Sequence, residues 1–170
     1  MKEKLTWNGQ PYELEWMDKF DSIILNDLQQ VYGFLFTDEG KICITRPSEK
    51  RNWRLAGGGP EPEDKDWRDT IIREANEEAD IDLGYNSLEI IGAVKITPLA
   101  KNCERKFGYA LRVVGKITSI NEQTEDIAIG EIGEREFVDP SEFLSYCKWN
   151  KLGKIQLEKA MGKIKHNSYK

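Results

Sequence analysis

The sequence predicts a mixed α/β (α+β) fold, and three observations carry that prediction. Short runs of alternating apolar residues recur in pairs around turn signals, the pattern of antiparallel hairpins. From Asp66 to about Ala79 the spacing of apolar residues changes to a helical period. A second helical pattern, Lys151 to Lys165, follows near the end. Hairpins mixed with a few helices suit a mixed sheet that carries helices. A length of 170 residues suits one domain spanning 1–170, and 39% hydrophobic residues supply the surface for its core.

The elements follow in order. Leu5 and Trp7 share one strand face, as do Tyr12, Leu14 and Trp16. Asn8-Gly9 between them favours the positive φ angles of a tight N-terminal hairpin. Pro11 places the second strand at a sheet edge. Ser22 to Leu25 is a short apolar piece, and Gln30–Thr37 and Lys41–Arg46 flank Asp38-Glu39-Gly40 as a second hairpin. Asn52 to Gly59 leads into a loop rich in Gly, Pro and acids that ends near Asp64. After the helix, Leu88–Thr97 and Phe107–Thr118 read as longer strands joined by a basic segment with Lys101, Arg105 and Lys106. Glu134–Val138 is the last strand. Pro140 and Ser141 open a short helix, and the final amphipathic helix presents Leu152, Ile155, Ala160, Met161 and Ile164.

Composition excludes several chemistries. With 30 acidic and 25 basic residues the net charge is -5, which disfavours a dedicated nucleic-acid binder. The single histidine, His166, sits in a Lys-rich tail, so Ser-His-Asp and Cys-His mechanisms are excluded. Zinc sites of several His or paired Cys are excluded with them. Catalysis must run on carboxylates, Lys, Tyr or an oxygen-held metal. Cys43, Cys103 and Cys147 make no disulfide framework, and Cys43 reads as a small core residue. Neither a signal peptide nor a membrane span is visible, so no membrane contact and a cytoplasmic location are expected.

The segment LAGGGPEPEDKDWRDTIIREANEEADI, Leu55 to Ile81, is the informative one. On a helix, Ile71, Ile72, Ala75 and Ala79 form one apolar arc. Glu74, Glu77 and Glu78 gather on the adjacent arc, where like charges repel. A divalent cation resolves that repulsion, because hard ions favour carboxylate oxygens. Arg73 stands four residues before Glu77 and can orient it. Gly57-Gly58-Gly59 allows a sharp bend or a close approach to a ligand.

These residues resemble the Nudix box, G-x5-E-x7-R-E-U-x-E-E-x-G-U with U apolar. Arg73-Glu74-Ala75-Asn76-Glu77-Glu78-Ala79 matches its most specific part, Ile81 its last position and Gly59 its first. Tyr32-Gly33, the turn at Gly40, Trp53-Arg54-Leu55 and the helix over Trp149–Gln156 extend the resemblance. Two positions depart from it. Lys65 stands where a glutamate is expected, unless Gly58 is the anchor and Asp64 takes that role with one residue inserted. Asp80 replaces the closing glycine, a position where Asp tolerates a left-handed terminus.

The resemblance implies a Nudix-like α/β/α sandwich with a mixed β-sheet, an N-terminal β-hairpin and a C-terminal helix. It implies a Mg²⁺- or Mn²⁺-dependent hydrolase that cleaves a pyrophosphate bond in a nucleoside diphosphate linked to another moiety. Metal ligands would be Glu74, Glu77 and Glu78; Glu77, Glu78 and Arg73 would form the catalytic set, with Arg73 as orienter. Glu131 is a candidate outer ligand. Gly58, Gly59, Arg46 and Arg54 are expected at the substrate, with Tyr109 and Arg112 as further phosphate or base contacts. The five tryptophans read as core anchors. The partner would be a small nucleotide-type molecule, and a homodimer stays open. Lys65, Asp64 and Asp80 keep a second reading in view, a Nudix-fold nucleotide-binding or regulatory protein without turnover. A 5′-end RNA pyrophosphohydrolase is a third, disfavoured by the acidic charge despite Lys101, Arg105 and Lys106.

Overall fold

In the computed structural model, residues 1–125, 130 and 132–167 are described, with side chains through Ile164. Glu131 and the side chain of His166 lie outside the described residues. Asn8 and Gly9 adopt positive φ, 48° and 75°, and fold β1 (Lys2–Trp7) onto β2 (Gln10–Met17). Positive φ at both turn residues matches the right-handed twist of the two strands. A 3-10 turn over Ser22–Asp27 leads into β3 (Leu28–Phe36), and Gly40 turns the chain into β4 (Ile42–Arg46). Two short strands follow, β5 (Arg54–Leu55) and β6 (Gly57–Gly58). Helix α1 (Trp67–Ala79), β7 (Ile81–Leu83), β8 (Glu89–Pro98) and β9 (Gly108–Ile120) come next. The chain finishes with β10 (Glu134–Val138), α2 (Phe143–Cys147) and α3 (Lys151–Asn167).

The sheet runs β1-β2-β8-β9-β3-β4-β10. Among the described residues only β3 and β9 pair in parallel, so the sheet is mixed, as expected. β2 lies inside it, between β1 and β8, which corrects the edge position inferred from Pro11. The ladder tolerates Pro11 because the residue falls at the start of β2, beyond the last β8 pair, Tyr12 with Pro98. The second hairpin is splayed: β3 and β4 share only the Phe36–Ile42 pair, and β4 ladders mainly with β10.

Each sheet face has its own core. On one, Ile71, Ala75 and Ala79 of α1 pack fully buried against Val31, Leu35, Leu111 and Val113. On the other, Leu152, Leu157 and Ala160 of α3 and Phe143 of α2 cover Phe34, Ile96 and Val114. Helices on both faces make the α/β/α sandwich. Asp66 caps α1 by accepting from the Arg68 amide at 2.7 Å. Asp80 ends it in the left-handed region at φ 47°, where the closing glycine was expected. The three cysteines are buried free thiols, and burial pushes Cys43 up to about 12. Among the described residues no helix is long and apolar enough to cross a membrane.

Candidate active site

The site begins with α1, whose period sets one face in the core and places the glutamates on its flank. Arg73 organises them. Its Nη1 donates to Glu74 at 3.0 Å and to Glu77 at 3.2 Å, while its Nη2 donates to the Gly59 carbonyl at 2.8 Å. The same guanidinium grips Asp64, Nη2 to Oδ2 at 3.0 Å and Nε to Oδ1 at 3.3 Å. One arginine thus ties the glycine loop, the acidic loop and two glutamates into a unit.

Asp64 decides between the two alignments of the loop. Its side chain is 6% exposed, and it also accepts from Thr70 Oγ1 and the Glu61 amide, both at 2.9 Å. Arg73 holds the Asp64 carboxyl below the usual carboxylate range. Lys65 contributes its backbone instead, the amide donating to Asp69 at 3.0 Å. The acidic partner therefore sits one residue before the expected position. Asp64→Asn is expected to lower stability by about 2 kcal/mol at neutral pH, because it removes the charge facing a partly buried guanidinium. A depressed carboxylate stabilises above its unfolded pKa, near 3.8, and that contribution is lost as pH falls through the folded value. Urea titrations of both proteins at pH 7 and pH 3 check this, with the difference closing at the lower pH.

Glu78 is held by β4, β5 and β6 together. It pairs closely with Arg54, accepts from the Gly57 amide at 3.0 Å and from Thr45 Oγ1 at 3.4 Å. Glu74 is more confined. Burial, with Glu78 and Glu77 nearby, pushes its carboxyl up to about 7 against the pull of Arg73. A Cβ on Gly58 would collide with that carboxylate, so a larger residue there would make Glu74 move.

The other expected residues divide. Arg54 lines the groove beside the glutamates. Arg46 does not: it meets Glu134 at 2.5 Å and lies over Trp53 at 4.6 Å. Tyr109 packs with Phe107 on the opposite sheet face, whereas Arg112 lines the groove. Trp16 and Trp67 are core residues, but Trp7, Trp53 and Trp149 line the groove, and Trp7 is 40% exposed. Trp53 and Trp149 also pack against the core, so the reading of all five as core anchors is corrected for Trp7 alone. Thr45 was missed; Gly57 was read as part of the bending glycine run, but its positive φ of 144° and its amide's donation to Glu78 are invisible in a run of three glycines.

Among the described residues no three metal-binding side chains are gathered into a ready cluster. The donor chemistry nevertheless fits a hard divalent cation. Glu74, Glu77 and Glu78 offer only carboxylate oxygens, and the crowding that raises Glu74 is what a cation would relieve.

The NUDIX domain family model matches residues 28–162. No curated protein matches by sequence. Among solved structures, a point mutant of the Bacillus subtilis pyrophosphohydrolase RppH is similar at 16% identity, covering 92% of this chain and 94% of that one, with a TM-score of 0.66. The C. elegans Ap4A hydrolase, as a binary complex, is 13% identical over 81% of this chain and 98% of its own, with a TM-score of 0.55. MutT from a structure-and-function comparison of Aliivibrio salmonicida and Vibrio cholerae is 14% identical over 80% and 98%, with a TM-score of 0.52. These likenesses place the fold among those of Nudix hydrolases. The chain belongs to the Nudix family.

Proposed function

We propose that the chain, as one Nudix unit over 1–170, is a divalent-cation-dependent hydrolase of a nucleoside diphosphate derivative and acts in the cytoplasm. The observation that carries this reading is the Arg73-centred set of Glu74, Glu77 and Glu78 beside the glycine loop. In the reaction, water attacks one phosphorus, the bridging P–O bond breaks, and two phosphate monoesters leave. Glu74, Glu77 and Glu78 would hold Mg²⁺ or Mn²⁺, which neutralises charge on the phosphate oxygens when bound. Glu77, 44% exposed, is the carboxylate best placed to take the proton of the attacking water. Arg73 is a positioning residue that fixes the glutamates and the Gly59 carbonyl. Gly58 lets the loop lie against Glu74, and Arg54 orients Glu78.

Release of phosphate or nucleoside monophosphate is measured across a panel of nucleoside diphosphate derivatives and dinucleotides. Turnover with Mg²⁺ or Mn²⁺ and none in EDTA is expected. Ligand-induced thermal stabilisation with no product from any panel member would instead favour the binding protein.

The crowding at Glu74 also has a stability consequence. Without cation, Glu74→Gln is expected to stabilise the fold by about 1 kcal/mol at pH 7.5, since it removes a confined charge. With millimolar Mg²⁺ that advantage should shrink or reverse, because the wild-type chain gains from binding. Thermal melts of both proteins in EDTA and in Mg²⁺ check it.

A further inference from the structure

A groove of about 1040 Å³ runs from Glu74 and Glu78 to a far wall formed by the β1–β2 hairpin. Its two ends differ in charge. At the hairpin end stand Arg105 and Arg112, and neither makes an ion pair with a carboxylate among the described residues. Arg46, Arg54, Arg68 and Arg73 each meet one.

Arg112 is 9% exposed. Its Nε donates to Gln156 at 2.6 Å and its Nη1 to the Leu111 carbonyl at 3.1 Å. Its guanidinium lies 4.9 Å from the Tyr32 ring and 5.9 Å from that of Trp149. Arg105 is half-buried, stacked 3.4 Å over Trp7, with Nη1 donating to Gln30 at 2.6 Å. These neutral partners satisfy donors and steer the guanidinium planes, yet they supply no countercharge. Desolvation lowers the basicity of Arg105 and, with the Arg105 charge nearby, brings Arg112 down to about 10. Two neighbouring cations withdrawn from water without an acid are costly unless an anion joins them.

The strand register fixes the separation of the two ends. Arg112 pairs across with Tyr32, Tyr32 with Gly57, and the Gly57 amide holds Glu78. Two strand spacings put the Arg112 backbone roughly 10 Å from that anchor. A ligand spanning both ends must present an anion to the arginines, while at the glutamates a divalent cation would stand between the carboxylates and its phosphates. A neutral base at the far end would take hydrogen bonds but leave the charge standing.

We propose that Arg105 and Arg112 form an anion subsite that takes a phosphate of the substrate other than the pair cleaved at the glutamates. Arginine's planar fork suits phosphate oxygens. The assignment rests on the hydrolase reading above and narrows its substrate class to nucleotides carrying a further phosphate.

The test is calorimetric titration of the whole chain in EDTA with inorganic tripolyphosphate and, separately, with adenosine. The wild-type chain should bind tripolyphosphate and bind adenosine at least tenfold more weakly. Arg105→Gln should weaken tripolyphosphate about tenfold, Arg112→Gln at least as much, and Arg112→Lys should restore part of it. Arg68→Gln, at a residue that does not line the groove, should change nothing. Unchanged tripolyphosphate affinity in folded Arg105→Gln, no binding by the wild-type chain, or adenosine binding as tightly, would overturn the subsite. Should Arg112→Gln fail to fold, the half-buried Arg105 decides alone. The titration needs no turnover: tripolyphosphate binding in EDTA with no product from any panel member in Mg²⁺ or Mn²⁺ removes the hydrolase and spares the subsite, and turnover without these binding effects does the reverse.

Discussion

Glu78→Gln is expected to lower kcat of the cation-dependent hydrolysis by roughly 100-fold or more while leaving the protein folded. Loss of an outer-shell partner at a metal site typically costs about 10–100-fold, and loss of a proposed ligand should cost at least the upper figure. The substitution is nearly isosteric. A Gln amide oxygen still accepts from the Gly57 amide and from Thr45, so β6 and β4 keep their grip on α1. What disappears is one negative charge facing Arg54 and the groove. Product release at saturating Mg²⁺, with far-ultraviolet circular dichroism and melting as fold controls, checks this. Full activity in a folded Glu78→Gln protein would remove this carboxylate from the mechanism.

Gly57→Ala should have the largest effect on stability, about 4 kcal/mol, a melting temperature lower by roughly 10 °C. Two costs coincide. The φ of 144° belongs to a region that L residues rarely adopt, and a Cβ there would drive into the Val31 carbonyl and the Tyr32 backbone. Relief by backbone movement would pull β6 off β3 and the Gly57 amide off Glu78. Activity should therefore fall with stability. Thermal and urea melts of Gly57→Ala beside Gly162→Ala, an alanine in open space on α3, separate the local clash from the general effect of removing a glycine.

The sequence was most legible where one local pattern had a single solution. Helix α1 has a capping Asp66, an apolar arc and a tolerant Asp80, and its observed span Trp67–Ala79 falls on those markers. β10 matched too, its observed span Glu134–Val138 being the one expected. The two- and three-residue strands β5, β6 and β7 were not legible, because their conformation is set by the strands they join. The pairing of Asp64 with Arg73 could be offered only as one of two alignments, since the path of residues 59–66 decides it. Arg46 misled for a different reason. Its partner Glu134 is 88 positions away, and nothing local announces that an arginine beside a glycine loop is already engaged. Arg105 was read as part of a basic segment with Lys101 and Lys106, yet stacking on Trp7 sets it apart from those two lysines.

The N-terminal hairpin, residues 2–17, lies outside the stretch 28–162 that defines the family. It nevertheless supplies Trp7 and Tyr12 to the groove and reaches residues 104 and 105 through Asn8 and the Tyr12 hydroxyl. One wall of the groove is thus built by a segment that the family match leaves out. Exchanging this ribbon between relatives is expected to reshape that wall while Arg73 keeps its hold on the glutamates.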